Sequence, residues 1–370
     1  MPDRAAPASS TRSTDWIALW FLAAPVLAVA VLGLSLATTL SAPIIALAVA
    51  GLLVAVSSAV HHAEVVAHRL GEPYGTLVLA LAVTVIEAAL VLSIMLAGGA
   101  DAYTVPRDTI YAAVMIIANG VVGVCLLLGG LHHGEQSFRI EGAGSGLAAL
   151  VALSGLVLVL PALTISSPGD TYTESQLLFV GGASLALWLV FVFIQNKHRD
   201  YFLPTVRPED ETVHAAPPSI GQTWASVALL VVSLVAVVGL AKVLSQPLER
   251  AVAALGAPKA TVGILIAVVV LLPETVAALR AALANRLQTS MNLAIGSALA
   301  SIGLTVPVVV IAAVLLDLPL RFGLSPKDIA LLMLTFIVSA ITLGSGRTNV
   351  MQGAIHLVLF AAFLFLTLVP

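Results

Sequence analysis

Apolar runs long enough to cross a bilayer recur along the whole chain, each separated from the next by a short polar stretch. A hydrocarbon core of roughly 30 Å takes about 20 helical residues. By that measure the pattern predicts eleven membrane-spanning helices, near residues 16–39, 42–60, 75–97, 109–130, 145–165, 175–195, 223–244, 260–282, 289–316, 327–344 and 350–369. The fold expected is therefore an all-α polytopic membrane protein. The longest interruption, 196–222, is rich in charge and proline and reads as a cytoplasmic linker. Six predicted helices precede it and five follow, so the segment 16–41 is set apart as an extra amino-terminal helix, leaving two five-helix halves at 42–195 and 223–370. An odd number of spans per half forces the second half to enter the membrane upside down relative to the first, the inverted-repeat construction of many secondary transporters. Residues 1–15 are polar and are expected to be disordered. The apolar run that follows is longer than the roughly 7 to 15 residues of a signal-peptide core, so it is expected to be retained as a helix.

Composition agrees with the pattern: 60% of residues are hydrophobic and 9% charged, against about 25% charged in a soluble domain. A net charge of −3 with scattered basic residues argues against a nucleic-acid partner. The Lys and Arg residues of the loops favour a cytoplasmic amino terminus and an external carboxyl terminus in a cell membrane, plasma or inner. Cys125 stands alone, which excludes an intramolecular disulfide and a cysteine metal site.

Two carboxylates stand out against this background. Glu87, in LALAVTVIEAALVL, and Glu274, in IAVVVLLPETVAAL, both lie inside apolar runs. A charge at mid-bilayer costs roughly 3 kcal/mol on insertion scales, so an acid kept there is by default a transport or proton-relay candidate. Glu87 falls about twelve residues into a helix running outward and Glu274 about fourteen into one running inward, which puts both near the midplane at roughly 1.5 Å of rise per residue. Each is followed by a helix with small and polar residues, Asn119 in the first half and Ser297 and Ser301 in the second. Ser297 and Ser301 are four apart and share a helix face, and Thr84 adds a hydroxyl three residues before Glu87. Pro273 removes a backbone donor beside Glu274 and is expected to kink its helix. Carboxylates, an amide and hydroxyls make an all-oxygen set suited to hard cations such as Ca²⁺, Na⁺ or K⁺. The same carboxylates can instead carry protons. A site that travels either cation-loaded or proton-loaded is the physical core of an antiporter.

Each of these residues also has a plainer reading. A buried acid can be a structural partner of a base, although no Lys or Arg lies at matching depth in either stretch, and Asn119 and the serines can simply join helices by hydrogen bonds. His61, Glu64 and His68 share a helix face near the cytoplasm and suit a cation antechamber, a pH sensor or only a solvated surface. His132, His133 and Glu135 suggest the same. His356, inside the last apolar run, suits a proton relay or a packed hydrogen-bonding role. An intramembrane metal-dependent hydrolase built on the membrane-edge histidines is the competing enzyme reading, and a passive cation channel a third. No phosphate loop or dinucleotide fingerprint is present, so neither nucleotide-driven pumping nor redox coupling has support. Nothing in the sequence sets the oligomeric state.

The stretches HRLGEPYGTLVLALAVTVIEAALVLS, HHGEQSFRIEG, LLPETVAALRAALANRLQTSMNLAIGSALASIGLTVPVV and SGRTNVMQGAIHLVLFAAFLF resemble the cation/calcium exchanger superfamily, and within it the bacterial Cha-type calcium (sodium, potassium)/proton antiporters. The resemblance implies an eleven-helix fold whose two alpha-repeats, here 71–130 and 260–316, meet at the midplane. It implies Glu87 and Glu274 as the ion and proton carriers, Ca²⁺ as the first expected cargo with Na⁺ and K⁺ as alternatives, no cofactor and no enzymatic activity. Asn119 is similar to the asparagine of the first repeat's second helix, and Ser297 matches the serine of the superfamily's Gly-Ser-Asn-like motif. Three departures stand out: Met115 where a serine is expected, Ala298 in place of the motif's asparagine, and Ser301 where other members carry Asn or Asp.

Overall fold

In lipid, a backbone must satisfy its own hydrogen bonds, and a helix does so within a single segment. The computed structural model describes residues 11–71, 74–97, 102–202 and 218–369. Among them the chain forms α1 (Thr11–Ala37), α2 (Ala42–Leu70), α3 (Tyr74–Ala97), α4 (Val105–Met115), α5 (Val122–His133), the two-residue strand β1 (Gln136–Ser137), α6 (Ile140–Ser154), α7 (Glu174–Lys197), α8 (Ile220–Ala254), α9 (Ala260–Leu283), α10 (Leu287–Ala300), α11 (Val306–Leu315), α12 (Pro326–Gly344), β2 (Arg347–Thr348) and α13 (Val350–Leu368). Helices α4 and α5 form one span, Ala102–His133, and α10 and α11 another, Leu287–Leu315, so the described residues hold eleven helices long and apolar enough to cross a membrane. That is the number and class the hydropathy pattern predicts.

Two helices outrun the prediction furthest. Helices α2 and α8 continue to Leu70 and Ala254, ten residues beyond the expected ends at 60 and 244. Hydropathy marks only the part of a helix that lipid can cover, whereas polar residues such as those of HHAEVVAHR extend it without penalty once the helix is nucleated. Of the amino-terminal residues expected to be disordered, 1–10 lie outside the described residues, and Thr11–Asp15 begin α1. Residues 203–217 of the expected linker also lie outside them.

The chain divides into two compact units. One comprises α1, α2, the start of α3 and α8 as far as Leu244. Within it Ala48, Leu240 and Leu244 form a core with Val31, Leu32, Ile45 and Leu52 around it. Ser233 Oγ donates to Ser58 Oγ (3.2 Å), and His62 Nδ1 lies 3.3 Å from Ser226 Oγ. Rising numbers on α2 thus meet falling numbers on α8, so the first helices of the two halves run antiparallel.

The other unit holds the rest, and its connections sort to two ends. At one end β1 pairs antiparallel with β2, Gln136 opposite Thr348. Gln136 Nε2 donates to Ala282 O (3.1 Å) and Asn285 Oδ1 (2.9 Å). These contacts bring together the α5–α6, α12–α13 and α9–α10 connections. At the opposite end Arg321 N donates to Tyr103 O, Gly323 N to Asp170 O and Leu324 N to Leu158 O, all at 3.0 to 3.1 Å. The start of α4 therefore meets the α6–α7 and α11–α12 connections there, and an ion pair between Arg321 and Asp170 reinforces it. Helices α4–α5 and α10–α11 consequently run in opposite directions, as do α6 and α12, and α7 and α13. This is the inverted repeat.

Each repeat lends a helix to the other: α5 packs on α13, and α11 on α7. Glycine makes both approaches close. A Cβ on Gly123 would lie 3.1 Å from His356 Cβ, and one on Gly303 would lie 2.5 Å from Trp188 Cβ.

Candidate functional site

The two long spans of the second unit share an irregularity at mid-length. Ile116–Val121 joins α4 to α5 as a π-helical turn, and Ser301–Thr305 joins α10 to α11 in the same way. Such turns widen the helix and redirect its carbonyls and side chains, and they recur at functional positions. Asn119 lies in the first turn and Ser301 opens the second.

Glu87 is 3% exposed on α3. Its Oε1 accepts a hydrogen bond of 2.5 Å from Ser301 Oγ. Ser301 is fourteen residues from either end of Leu287–Leu315, so the carboxyl sits at mid-span. Thr305, at the end of the same turn, also bears on that carboxyl. The group that hydrogen-bonds Glu87 is a hydroxyl, whereas a structural acid would be paired with a base. Thr84 is buried one turn earlier on α3, where its hydroxyl donates to Ala80 O (2.8 Å).

Glu274 lies half-buried on α9, which stays helical through Pro273. Proline offers no N–H, so the carbonyl of Val269 loses its helical donor while the helix continues. Thr275 Oγ1 donates to Leu271 O (2.7 Å) one turn away. Helix α9 packs against α10, α4, α5 and the π-turn of Asn119. Two residues past its end, Asn285 has a φ of 58°, the left-handed value that closes a helix. Ser297 is half-buried on α10, one turn before Ser301.

Asn119 is fully buried, and its amide is engaged at both ends away from the glutamates. Nδ2 donates to Thr335 Oγ1 of α12 (2.9 Å), and Oδ1 faces His356 Nδ1 of α13 (3.2 Å). His356 Nε2 lies 3.2 Å from Thr342 Oγ1. The structure therefore brings Ser301 to Glu87, and Asn119 to His356, as two separate buried polar groups. The sequence reading passes over Thr305, Thr335 and Thr342. Thr335, Ser339 and Thr342 recur at helical spacing as one polar stripe on an apolar helix, the signal that could have found two of them.

The membrane-edge groups are more open. Glu64 and His68 are exposed on α2, and His61 stacks on Phe21 with ring centroids 3.8 Å apart. His133 Nε2 lies 2.8 Å from Leu283 O, and Glu135 makes only a 3.9 Å pair with Arg347 between two exposed side chains. Among the described residues no three His, Cys, Asp or Glu side chains come together as a metal site. The zinc-type centre that a hydrolase would need is not assembled from them.

Comparison with known proteins agrees with this architecture. The sequence profile of the family described as sodium/calcium exchanger protein matches residues 40–197 and 225–369. The chain is 49% identical over 321 residues to a Sinorhizobium fredii protein provisionally named an ionic transporter, covering 85% of this chain and 86% of that one. It is 39% identical over 311 residues to the sodium-potassium/proton antiporter ChaA of Escherichia coli, covering 83% and 84%. The solved structure of the H⁺/Ca²⁺ exchanger CAX superposes with a TM-score of 0.71 at 14% identity, over 94% of this chain and 88% of that one.

Proposed function

The chain belongs to the sodium/calcium exchanger family, and from that membership we propose that it is a secondary antiporter exchanging cytoplasmic cations for external protons at Glu87 and Glu274. The observation that carries the reading is the buried mid-span carboxyl of Glu87, held by Ser301 across the repeat boundary. Hydroxyls can orient a carboxylate and share a cation with it, but they cannot neutralise it. Its charge therefore awaits a cation or a proton. Glu274, at the corresponding place on the antiparallel helix α9, supplies the second charge. Ser297, Ser301 and Thr84 supply neutral oxygens. Two carboxylates are balanced by one Ca²⁺ or by two protons, so the loaded forms match in charge and either can cross while the doubly charged empty form is penalised.

Ca²⁺ is the first cargo in this reading, with Na⁺ and K⁺ as alternatives. The named relatives divide between these ions, one for sodium and potassium and one for calcium. The cations are substrates, and no resident cofactor is invoked. We place the protein in a cell membrane with its amino terminus cytoplasmic and its carboxyl terminus outside, on the distribution of loop charges. The direct test is uptake of Ca²⁺, Na⁺ and K⁺ into liposomes driven by an imposed pH gradient, with Glu87→Gln and Glu274→Gln as controls. No gradient-driven uptake of any of the three, or full uptake by both variants, would reject the proposal.

A further inference from the structure

The second buried polar group has a direction. Thr335 Oγ1 lies 2.9 Å from Leu331 O, a carbonyl that can only accept, so the Thr335 hydroxyl donates there and receives Asn119 Nδ2–H at 2.9 Å. Asn119 Oδ1 must then accept from His356 Nδ1 (3.2 Å), which places the ring proton on Nδ1. Nε2 is left as an acceptor for the Thr342 hydroxyl at 3.2 Å. The chain runs one way, from Thr342 of α12 through His356 of α13 and Asn119 of the π-turn back to Thr335 of α12. Met115 Sδ closes it from below, 3.6 Å from Thr335 Oγ1 and 3.9 Å from Asn119 Nδ2. Asn119, Thr335 and His356 are 0% exposed and Thr342 3%.

Such a chain is a poor proton path. A proton wire needs members that each accept on one side and release on the other, and this one contains an amide and stops at a helical carbonyl. The side chains facing the ring, Asn119 and Thr342, carry no charge. What the chain does well is hold. Gly123 lets α13 close on α5 at the level of His356, and the clasped π-turn also packs on α9 and α10, the helices of Glu274 and Ser297.

We propose that His356 is a positioning residue: a neutral ring, protonated on Nδ1, that clamps the Asn119 amide and so braces the π-turn against which the Glu274 helix lies. Asn119 is then the hub of this clasp and not a cation ligand. Its consequence for exchange rests on the antiport reading, but the clasp itself can be tested separately.

Nitrogen NMR of ¹⁵N-histidine-labelled protein in lipid reads the tautomer directly, with the His356 signal assigned by its loss in His356→Asn. The expected result is a neutral Nδ1–H ring unchanged between about pH 6 and pH 8, the interval in which a free histidine would titrate. A ring that titrates there, or one protonated on Nε2, overturns the proposal. In the uptake assay His356→Asn, whose amide can donate in place of Nδ1–H, should stay within about twofold of wild type with an unchanged pH midpoint. His356→Leu should raise the half-saturating cation concentration about tenfold, the scale of one lost buried hydrogen bond. A shifted midpoint in His356→Asn would make the ring a proton carrier, and wild-type behaviour in His356→Leu would make the clasp idle; either sinks the idea. If His356→Leu does not fold, Thr335→Val opens the same clasp from its other side and carries the same expectation. Should the wild type move no cation down a pH gradient, the antiport reading fails while the NMR result still decides the tautomer.

Discussion

Ser301 Oγ and Glu87 Oε1 are 2.5 Å apart, so the acid of the first repeat is held by the middle turn of the second. In the equivalent turn of the first repeat, Asn119 reaches to Thr335 and His356. The two halves share a path through the membrane and differ in what they do with it. That difference makes their residues separately testable.

Replacing either acid by its amide should abolish exchange while leaving the fold intact. Glu87→Gln keeps the shape and a hydrogen-bonding oxygen but can neither release a proton nor neutralise a cation. Gradient-driven uptake in liposomes should fall by at least about tenfold, the equivalent of roughly 1.4 kcal/mol of lost stabilisation, and Glu274→Gln should behave alike. A variant with unaltered exclusion-chromatography profile and unaltered flux would remove that residue from the site.

Ser301→Ala deletes the hydroxyl that orients Glu87. A hydrogen bond to a charged group is worth about 1.5–3 kcal/mol, so the half-saturating cation concentration should rise about tenfold or more. Ser301→Thr keeps the oxygen and should lose far less. Equal losses in the two variants would point to packing as the role of residue 301.

Because protons and cation compete for the same carboxyls, cation binding should weaken as pH falls. The sign is set by mass action: each proton that must leave before Ca²⁺ binds contributes −1 to the slope of the logarithm of the dissociation constant against pH. A slope steeper than −1, measured by equilibrium binding in detergent, is expected if both glutamates take part. A flat profile would contradict proton-coupled exchange at this site.

Gly353→Ala should destabilise the protein without touching the acids. Its Cβ would land 2.7 Å from Leu127 Cα on α5, where backbone has no rotamer to yield. Overpacking of this kind costs about 1–3 kcal/mol, to be read as a lower unfolding temperature in detergent. Gly182→Ala, where a Cβ meets nothing within 4 Å, is the matched control.

What could be read in advance was everything that depends on the solvent. Lipid demands apolar helices of a set length, so eleven spans and a mid-chain break were visible along the sequence. A carboxylate in such a span is costly enough to announce itself, and Glu87 and Glu274 did so without a fold in view. Partners were not readable, because a hydrogen bond between helices leaves no mark on residue spacing. Ser301 could be aligned with Asn119 as its counterpart, but only packing decides that one faces an acid and the other a histidine 237 positions away. The ends of α2 and α8 were missed for a related reason, since polar residues look alike in a loop and in a helix that has left the membrane. Composition and periodicity answer to the surroundings of a segment, which are uniform along a bilayer; the pairing of side chains answers to which helices lie side by side, and that is settled only when all of them have packed.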